Sequence, residues 1–315
     1  MITVLAGGVG AAKFLEGLVA VMPPSQITVI VNTGDDARFH GLHVSPDIDT
    51  VIYTLAGLVN REQGWGLAGD TFHCLEALDH LGAETWFRLG DRDLATHLWR
   101  TRRLREGATL SAVTEELRQA FGIACRILPM TDNPAPTRLR TTAGVLAFQE
   151  YFVKLRQEPE VLEADFSAAA ASQPAAGVLE SLRQARGIIL APSNPILSLG
   201  PILTVPGVRE TLQTTAAPVA AISPIVGGKA LKGPADGNLK SLGLAASATA
   251  VAELCRDFVD IFVMDRKDAA LCDAVQKMGI EALAAQTIMD SAIAKQELAQ
   301  TVLAALEKKD IRPFS

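Results

Sequence analysis

Residues 2–13 read Ile2-Thr3-Val4-Leu5-Ala6-Gly7-Gly8-Val9-Gly10-Ala11-Ala12-Lys13, and this stretch decides the fold class. A mostly apolar run of strand length breaks at a glycine pair. From Ala11 to Val21 apolar residues then recur at helical spacing until Pro23-Pro24 stops them. Ile27–Val31 is a second apolar run, ending in the polar turn Asn32-Thr33-Gly34-Asp35-Asp36. The right-handed crossover rule sets this second strand beside the first, with the helix packed on one face.

The alternation continues along the chain. Thr50–Asn60, Thr71–Leu81, Leu94–Arg102 and Leu110–Phe121 read as helices. Strand character returns at Ile123–Met130, and Arg138–Thr141 with Val145–Phe148 suit further strands or a hairpin. Gly187–Leu190, Val219–Ile222 and Phe258–Val263 are strands, Ala282–Ala285 is a short last one, and Asp290–Lys308 is the closing helix. Ala164–Ala176 is expected to be a surface loop running into a helix, and no solenoid period is present. The expected fold is α/β: a Rossmann-like three-layer α/β/α core with a mainly parallel sheet and a helical insertion after the second strand. Ligands of such sheets sit beyond the carboxyl ends of the strands, so the loops after Ala6, Val31, Leu190 and Ile222 should line one cleft.

Composition narrows the classes. The 315 residues are 49% hydrophobic, 20% charged and 5% aromatic, which excludes a disordered, collagen-like or disulfide-scaffold chain. Lys and Arg total 29 against 35 Asp and Glu, a net charge of −6 that argues against a nucleic-acid coat protein. The four cysteines, Cys74, Cys125, Cys255 and Cys272, form no C-x-x-C pair and are expected to be reduced and mostly buried. No secretory leader and no apolar run of membrane-spanning length can be read, so a soluble, cytoplasmic chain is expected.

Several loops carry chemistry. Gly7–Lys13 opens a helix, where glycines let a phosphate approach free N–H groups. It is neither a Walker A loop nor a strict dinucleotide fingerprint, because Lys13 stands where a third small residue belongs. Asn32–Asp36 lies where a dinucleotide enzyme holds its ribose-binding acid; it suits a mononucleotide's base or ribose equally, or is a solvated acidic turn. Asp47 and Asp49 stand at a helix start, with Asp49 or Thr50 as its cap; otherwise a carboxylate there holds Mg2+ or accepts a proton from a hydroxyl nucleophile. Arg88, after Trp86-Phe87, is either part of a salt-bridged turn or a planar cation for a carbonyl or phosphate. Ser193 and Asn194 follow one strand. Ser223–Lys229 follows another and repeats the glycines-then-lysine logic, which suggests a ligand with more than one phosphate. The five histidines show no H-E-x-x-H arrangement and there is no G-x-S-x-G elbow, so zinc and serine hydrolase readings are weak.

Taken together, these loops resemble the 2-phospho-L-lactate transferase family (CofD type) of coenzyme F(420) biosynthesis. The matching pieces are Leu5–Lys13, Val31–Asp36, Ser45–Thr50, Trp86–His97, Met130–Asn133, Gln149–Arg156, Ser193–Leu203 and Ser223–Pro234. The resemblance implies one CofD-like domain over 1–315: residues 1–48 and about 123–315 form the nucleotide-binding core, and about 49–122 an insertion contributing a deazaflavin pocket. It implies that a guanosine-diphosphate-linked donor, lactyl-2-diphospho-5′-guanosine, meets the deazaflavin Fo. The ribityl hydroxyl attacks phosphorus, GMP leaves and Mg2+ assists. Related bacterial enzymes use phosphoenolpyruvyl or phosphoglyceryl donors. Carried onto this sequence, the family's deazaflavin contacts fall on Asp49, which is also the catalytic and metal candidate, and Arg88, with Thr131, Asp132 and Asn133 completing the pocket. Gly8, Gly10, Lys13, Ser193, Asn194, Gly228 and Lys229 would hold donor phosphates, and Asn32, Gly34 and Asp35 the guanosine side. The family also implies a homodimer, and neither nucleic acid nor membrane is an expected partner. Two rivals share the first loops: a non-catalytic nucleotide-sugar-binding regulator of the gluconeogenesis-factor type, and a nicotinamide-dependent dehydrogenase.

Overall fold

The computed structural model describes residues 1–231, 233 and 235–309. Seven parallel strands form the central sheet: β1 Ile2–Ala6, β2 Ile27–Val31, β3 Arg126–Pro129, β4 Gly187–Leu190, β5 Val219–Ile222, β6 Ile261–Asp265 and β7 Glu281–Ala285. Their order is β7-β6-β5-β4-β1-β2-β3, with Ile2 opposite Ile27 in the β1–β2 register. Strands read as continuous apolar runs because both faces are covered. Leu5, Ile30, Ile188 and Phe262 point into one core, while Val4, Val29, Ile189 and Val263 point into the other, so period two survives as a division between two cores. Helix α1 (Gly8–Val21) lies on the second face with α2 (Pro46–Leu55), α4 (Leu110–Ala120) and α5 (Ala292–Lys309). The expected three-layer α/β/α architecture is therefore present.

The chain runs outward from β1 to β3, then returns to β4 on the other side of β1. This reversal opens a crevice beyond β1 and β4, where doubly wound sheets bind ligands. Between β2 and β3 lie α2, a helix at His73–His80, α3 (Asp93–Arg105) and α4, as expected of a helical insertion. Before them comes a small hairpin, Ala37–Phe39 with Leu42–Val44, that the sequence pattern does not reveal.

Some expectations need correction. Helix α2 starts at Pro46, not Thr50: Ser45 is its N-cap and Pro46 occupies the first turn, so Asp49 and Thr50 are inside the helix rather than capping it. Phe258 and Val259 are not strand; their amides close the preceding helix onto the Cys255 carbonyl, and β6 begins at Ile261. Ala164 and Asp165 end a strand, Val161–Asp165, in a three-stranded antiparallel sheet with Arg138–Thr141 and Gly144–Ala147, instead of opening a surface loop. The four cysteines are free; Cys125 and Cys255 are buried, Cys272 is partly covered and Cys74 is exposed. Among the described residues no helix is long and apolar enough to cross a membrane.

Candidate active site

Two cavities meet at the start of α1. The first, about 300 Å³, is walled by Trp86, Phe87, Phe148, Phe152 and Val44, with Asp35, Asp47, Asp49, Tyr53, Arg88, Asp93 and His97 supplying its polar groups. The second, about 530 Å³, is lined by Gly7–Gly10, Lys13, Pro192–Asn194, Ser223, Pro224 and Thr287–Asp290. Gly8, Val9, Trp65, Phe148, Phe152 and Ser198 line both, so one thin wall separates an aromatic chamber from a glycine-lined cleft.

The aromatic chamber is assembled from distant segments. Phe39 stacks on Phe87 at 3.9 Å between centroids and meets Trp86 edge-on at 5.2 Å. Phe148 and Phe152 stack at 5.4 Å beside Glu150–Lys154, a π-helical turn of the kind that often marks functional sites. Lys154 ties this turn to the insertion through Glu84 at 2.9 Å and the Trp86 face at 5.5 Å. Arg88 lies over the Phe72 ring at 4.2 Å and is exposed at the chamber's lip, available to a polar ligand edge.

Asp49 stands on the chamber wall, held from behind. Both of its carboxylate oxygens bind the guanidinium of Arg100, a residue with no exposed surface. Arg100 Nη1 also lies 3.3 Å from His97 Nδ1, which must accept because an arginine only donates. The His97 proton therefore sits on Nε2, which faces Asp93 Oδ1 at 3.2 Å, off the line of a good hydrogen bond. The Tyr53 hydroxyl donates to Asp93 Oδ1 at 2.7 Å and accepts from the Thr96 hydroxyl at 2.8 Å. Burial, reinforced by the Asp49 and Asp93 charges, raises the Tyr53 pKa and keeps the phenol neutral. Sequence reasoning missed Arg100 and Tyr53, although Asp93, Thr96, His97 and Arg100 form a polar stripe at helical spacing, all buried.

A second group of carboxylates crowds the junction. Gly8 N–H donates to Asp47 Oδ1 at 2.7 Å, and Asn32 Nδ2 donates to Asp47 Oδ2 at 2.9 Å. Gly7 has to be glycine: a Cβ there would lie 2.7 Å from Ser198 Cβ and 2.8 Å from Asp47 Oδ2. Burial pushes the Asp35 carboxyl well above its usual range, and the Asp47 and Asp36 charges push it further. Burial also raises Asp36, against the opposing pull of His43 and Ser45, and pushes Asp47 up to about 6 despite its bonds from Asn32 and Gly8. A carboxyl raised in the fold favours folding while protonated; that contribution is fullest below the unfolded value near 4 and is lost as pH rises through the folded pKa. Asp35→Asn is therefore expected to raise the melting temperature of the free chain by about 2–4 °C at pH 7, and by less at pH 5. A variant no more stable than wild type at pH 7 in a thermal scan would contradict the crowding.

The structure separates some residues that the sequence reading grouped. Gly8, Gly10, Lys13, Ser193 and Asn194 do line the glycine-rich cleft. Ser193 and Asn194 are partly committed to the loop: the Ser193 hydroxyl accepts from Gly7 N, and Asn194 holds Asn238, Ile196 and Leu197. Asp35 lines the aromatic chamber, while Asn32 and Gly34 bond within the Asp35–Asp47 group, so this turn faces the chamber side rather than the cleft. Gly228 and Lys229 line neither cavity. Gly227 and Gly228, at φ 58° and 79°, make the two-residue turn of a hairpin (Ile225–Val226 with Lys229–Ala230), and Lys229 is exposed. The glycines of this second Gly-Lys loop thus serve turn geometry. Lys232 and Pro234 of the same motif lie outside the described residues. Thr131, Asp132 and Asn133 also line neither cavity: Thr131 and Asn133 bind the Gln173 backbone, and the Asp132 carboxylate holds Ser111 at the first turn of α4.

Among known proteins, the family model for 2-phospho-L-lactate transferase CofD matches residues 2–307. A 2-phospho-L-lactate transferase of Methanosarcina mazei is 39% identical over 302 residues, spanning 96% of this chain and 99% of its own. A phosphoenolpyruvate transferase of Kitasatospora aureofaciens is 42% identical over 314 residues, 98% of each chain. The crystal structure of a UPF0052-family protein from Bacillus halodurans, 14% identical, superposes with a TM-score of 0.64 over 96% of this chain and 98% of that one, a likeness of fold alone.

Proposed function

The chain belongs to the 2-phospho-L-lactate transferase CofD family, and from that premise we propose that it moves a phospholactyl or phosphoenolpyruvyl group from a guanosine-diphosphate-linked donor to the ribityl hydroxyl of Fo, releasing GMP. The observation that carries this reading is the shared wall. An aromatic chamber suited to a deazaflavin adjoins a glycine-lined cleft suited to a nucleotide diphosphate, with the first turn of α1 between them. A nucleotide-sugar sensor has no need of the aromatic chamber. Relatives of similar identity carry the phospholactate and the phosphoenolpyruvate names alike, which supports these two acids ahead of phosphoglycerate.

In this reading the Fo ring lies among Trp86, Phe87, Phe148 and Phe152, and Arg88 holds a polar ring edge. Asp49 accepts a hydrogen bond from the attacking hydroxyl; with its oxygens fixed by Arg100, it orients more than it takes protons. Donor phosphates lie over Gly8–Gly10, with Lys13 neutralising charge from the cleft side. Transfer of this kind is a matter of positioning and charge neutralisation.

Mg2+ fits the remaining chemistry in kind. Asp35 and Asp47 offer hard oxygen donors whose carboxyls are raised chiefly by burial and in part by neighbouring carboxylates, a cost that a bound cation would relieve. Asp49, spent on Arg100, is the poorer ligand. Among the described residues no three metal-binding side chains converge, so Asp35 and Asp47 would share the ion with donor phosphates. When bound, it would neutralise those phosphates.

The test is a fluorescence titration of Fo into the purified chain, with and without Mg2+ and GDP. Saturable binding is expected, about tenfold weaker in Arg88→Ala, as befits one charge-assisted contact at a partly exposed site. No binding by wild type under any condition would overturn the reading.

A further inference from the structure

Most residues that line both cavities are half-buried parts of the frame. Gly8 and Val9 open α1, Phe148 and Phe152 belong to the π-helical turn and its approach, and Ser198 precedes a short helix, Leu199–Thr204. The remaining one, Trp65, is 40% exposed, on a loop that follows α2. The base of that loop is pinned. Val59 and Leu67, both buried, pair as an antiparallel bridge, and Asn60 N–H donates to the Gly66 carbonyl at 3.0 Å. The Asn60 side-chain oxygen accepts from Glu62 N at 3.1 Å and from Gln63 N at 3.3 Å. Gly64 and Gly66, at φ 81° and 68°, take left-handed conformations on either side of Trp65 that other residues resist. Arg61 Nη2 ties the loop to Glu16 of α1 at 3.1 Å, the helix whose first turn forms the shared wall. The loop closes without help from the indole. Trp86 and Trp99 donate their ring N–H to Glu84 and Glu116, whereas the Trp65 ring makes no hydrogen bond, ring stack or cation–π contact among the described residues.

We propose that Trp65 keeps water from the phosphorus while the group crosses between the cavities, and so sets the division between transfer and hydrolysis. This deepens the proposed function and rests on it. Water and a ribityl hydroxyl are nucleophiles of one kind. A carboxylate such as Asp49, which accepts a hydrogen bond from either, does not choose between them. Exclusion does. In hydrolysis a water oxygen forms the new P–O bond in place of the ribityl oxygen and the bond from phosphorus to the bridging oxygen breaks. GMP leaves, and the free phospho-acid and a proton pass to solvent. The competition is decided where the cavities adjoin. Gly8 has no side chain there, Val9 and Ser198 are small, and Phe148 and Phe152 are stacked on each other. Trp65 has the largest apolar surface of the set and the most of it uncovered. An indole at the boundary of two filled cavities is covered by both occupants, which favours their joint residence over entry of water.

The experiment incubates the full-length chain with Mg2+, saturating Fo and whichever diphosphoguanosine donor wild type turns over, lactyl or enolpyruvyl. It counts GMP released against Fo converted, with donor breakdown in protein-free buffer subtracted. Wild type is expected to release one GMP for each Fo converted. Trp65→Ala should release GMP in excess, its hydrolysis raised on the order of tenfold over wild type, while Fo affinity falls far less. Trp65→Phe, which keeps an aromatic plane, should restore most of the coupling. Both variants should melt within about 3 °C of wild type, because the loop closes through its backbone and Asn60. Loss of structure lowers both products together and leaves their ratio unchanged. One GMP per Fo converted in Trp65→Ala would overturn the assignment; lowered Fo affinity beside it would make Trp65 one more wall of the chamber. A wild type that converts no Fo with either donor would instead overturn the transfer reading beneath it.

Discussion

Arg100→Met is expected to destabilise the chain by about 3–5 kcal/mol, because it strands the Asp49 carboxylate, 7% exposed, without a counter-charge. The size follows from how the pair is buried. Arg100 is covered completely and both Asp49 oxygens are directed at it. A pair of this kind contributes little net stability against an apolar replacement, yet losing one member leaves a desolvated charge. The double variant Asp49→Asn with Arg100→Met should therefore recover most of the loss. Urea unfolding of the wild type, both single variants and the double variant forms the cycle that measures this. A loss below about 1 kcal/mol in Arg100→Met, within the ordinary range of surface substitutions, would mean that water reaches the pair and that Asp49 is not held from behind.

Asp49→Asn is expected to lower turnover by about 10²- to 10⁴-fold while changing Fo affinity far less. Asparagine keeps the size of the side chain but presents an amide where the attacking hydroxyl needs an anionic acceptor; because it also leaves Arg100 without a counter-charge, turnover is compared at a temperature where the variant is shown to be folded. In the proposed pose the ring is held by Trp86, Phe87, Phe148 and Phe152, none of which changes. Stopped assays of GMP release, beside the Fo titration, separate the two effects. Turnover within tenfold of wild type would remove Asp49 from the chemistry and leave it as the partner of a structural arginine.

The sheet was legible because parallel strands covered on both faces are nearly pure apolar runs, and each here ends at a glycine, proline or polar turn. Of the antiparallel additions, Arg138–Thr141 with Gly144–Ala147 was legible as a hairpin, whereas the small hairpin at Ala37–Val44 and the third strand Val161–Asp165 were not. For the site, strand-end reasoning grouped Gly8, Lys13 and Ser193, which do line one cleft, since topology alone places such loops together. It named four loops and passed over the one after β7, although the same rule covers it. Arg100 was hidden for a different reason. It shares α3 with Arg102, Arg103 and Arg105, and composition cannot tell a buried arginine from partly or fully exposed ones. Only helical phase, which sets Arg100 on the face of Asp93 and His97, marks it out. The glycines of the second Gly-Lys loop form a hairpin turn away from both cavities; glycine pairs serve approach to an anion and hairpin turns alike, and spacing alone does not distinguish them.

The thin wall at Gly8 and Val9 has a consequence for the order of events. If the two adjoining cavities take acceptor and nucleotide as proposed, neither has to leave before the other arrives. On this reading the group passes directly between two substrates resident together, and no side chain has to carry it in between. The kinetics would then be those of a ternary complex, and water, kept from the junction only while both rooms are full, would be the competitor that the enzyme excludes by being occupied.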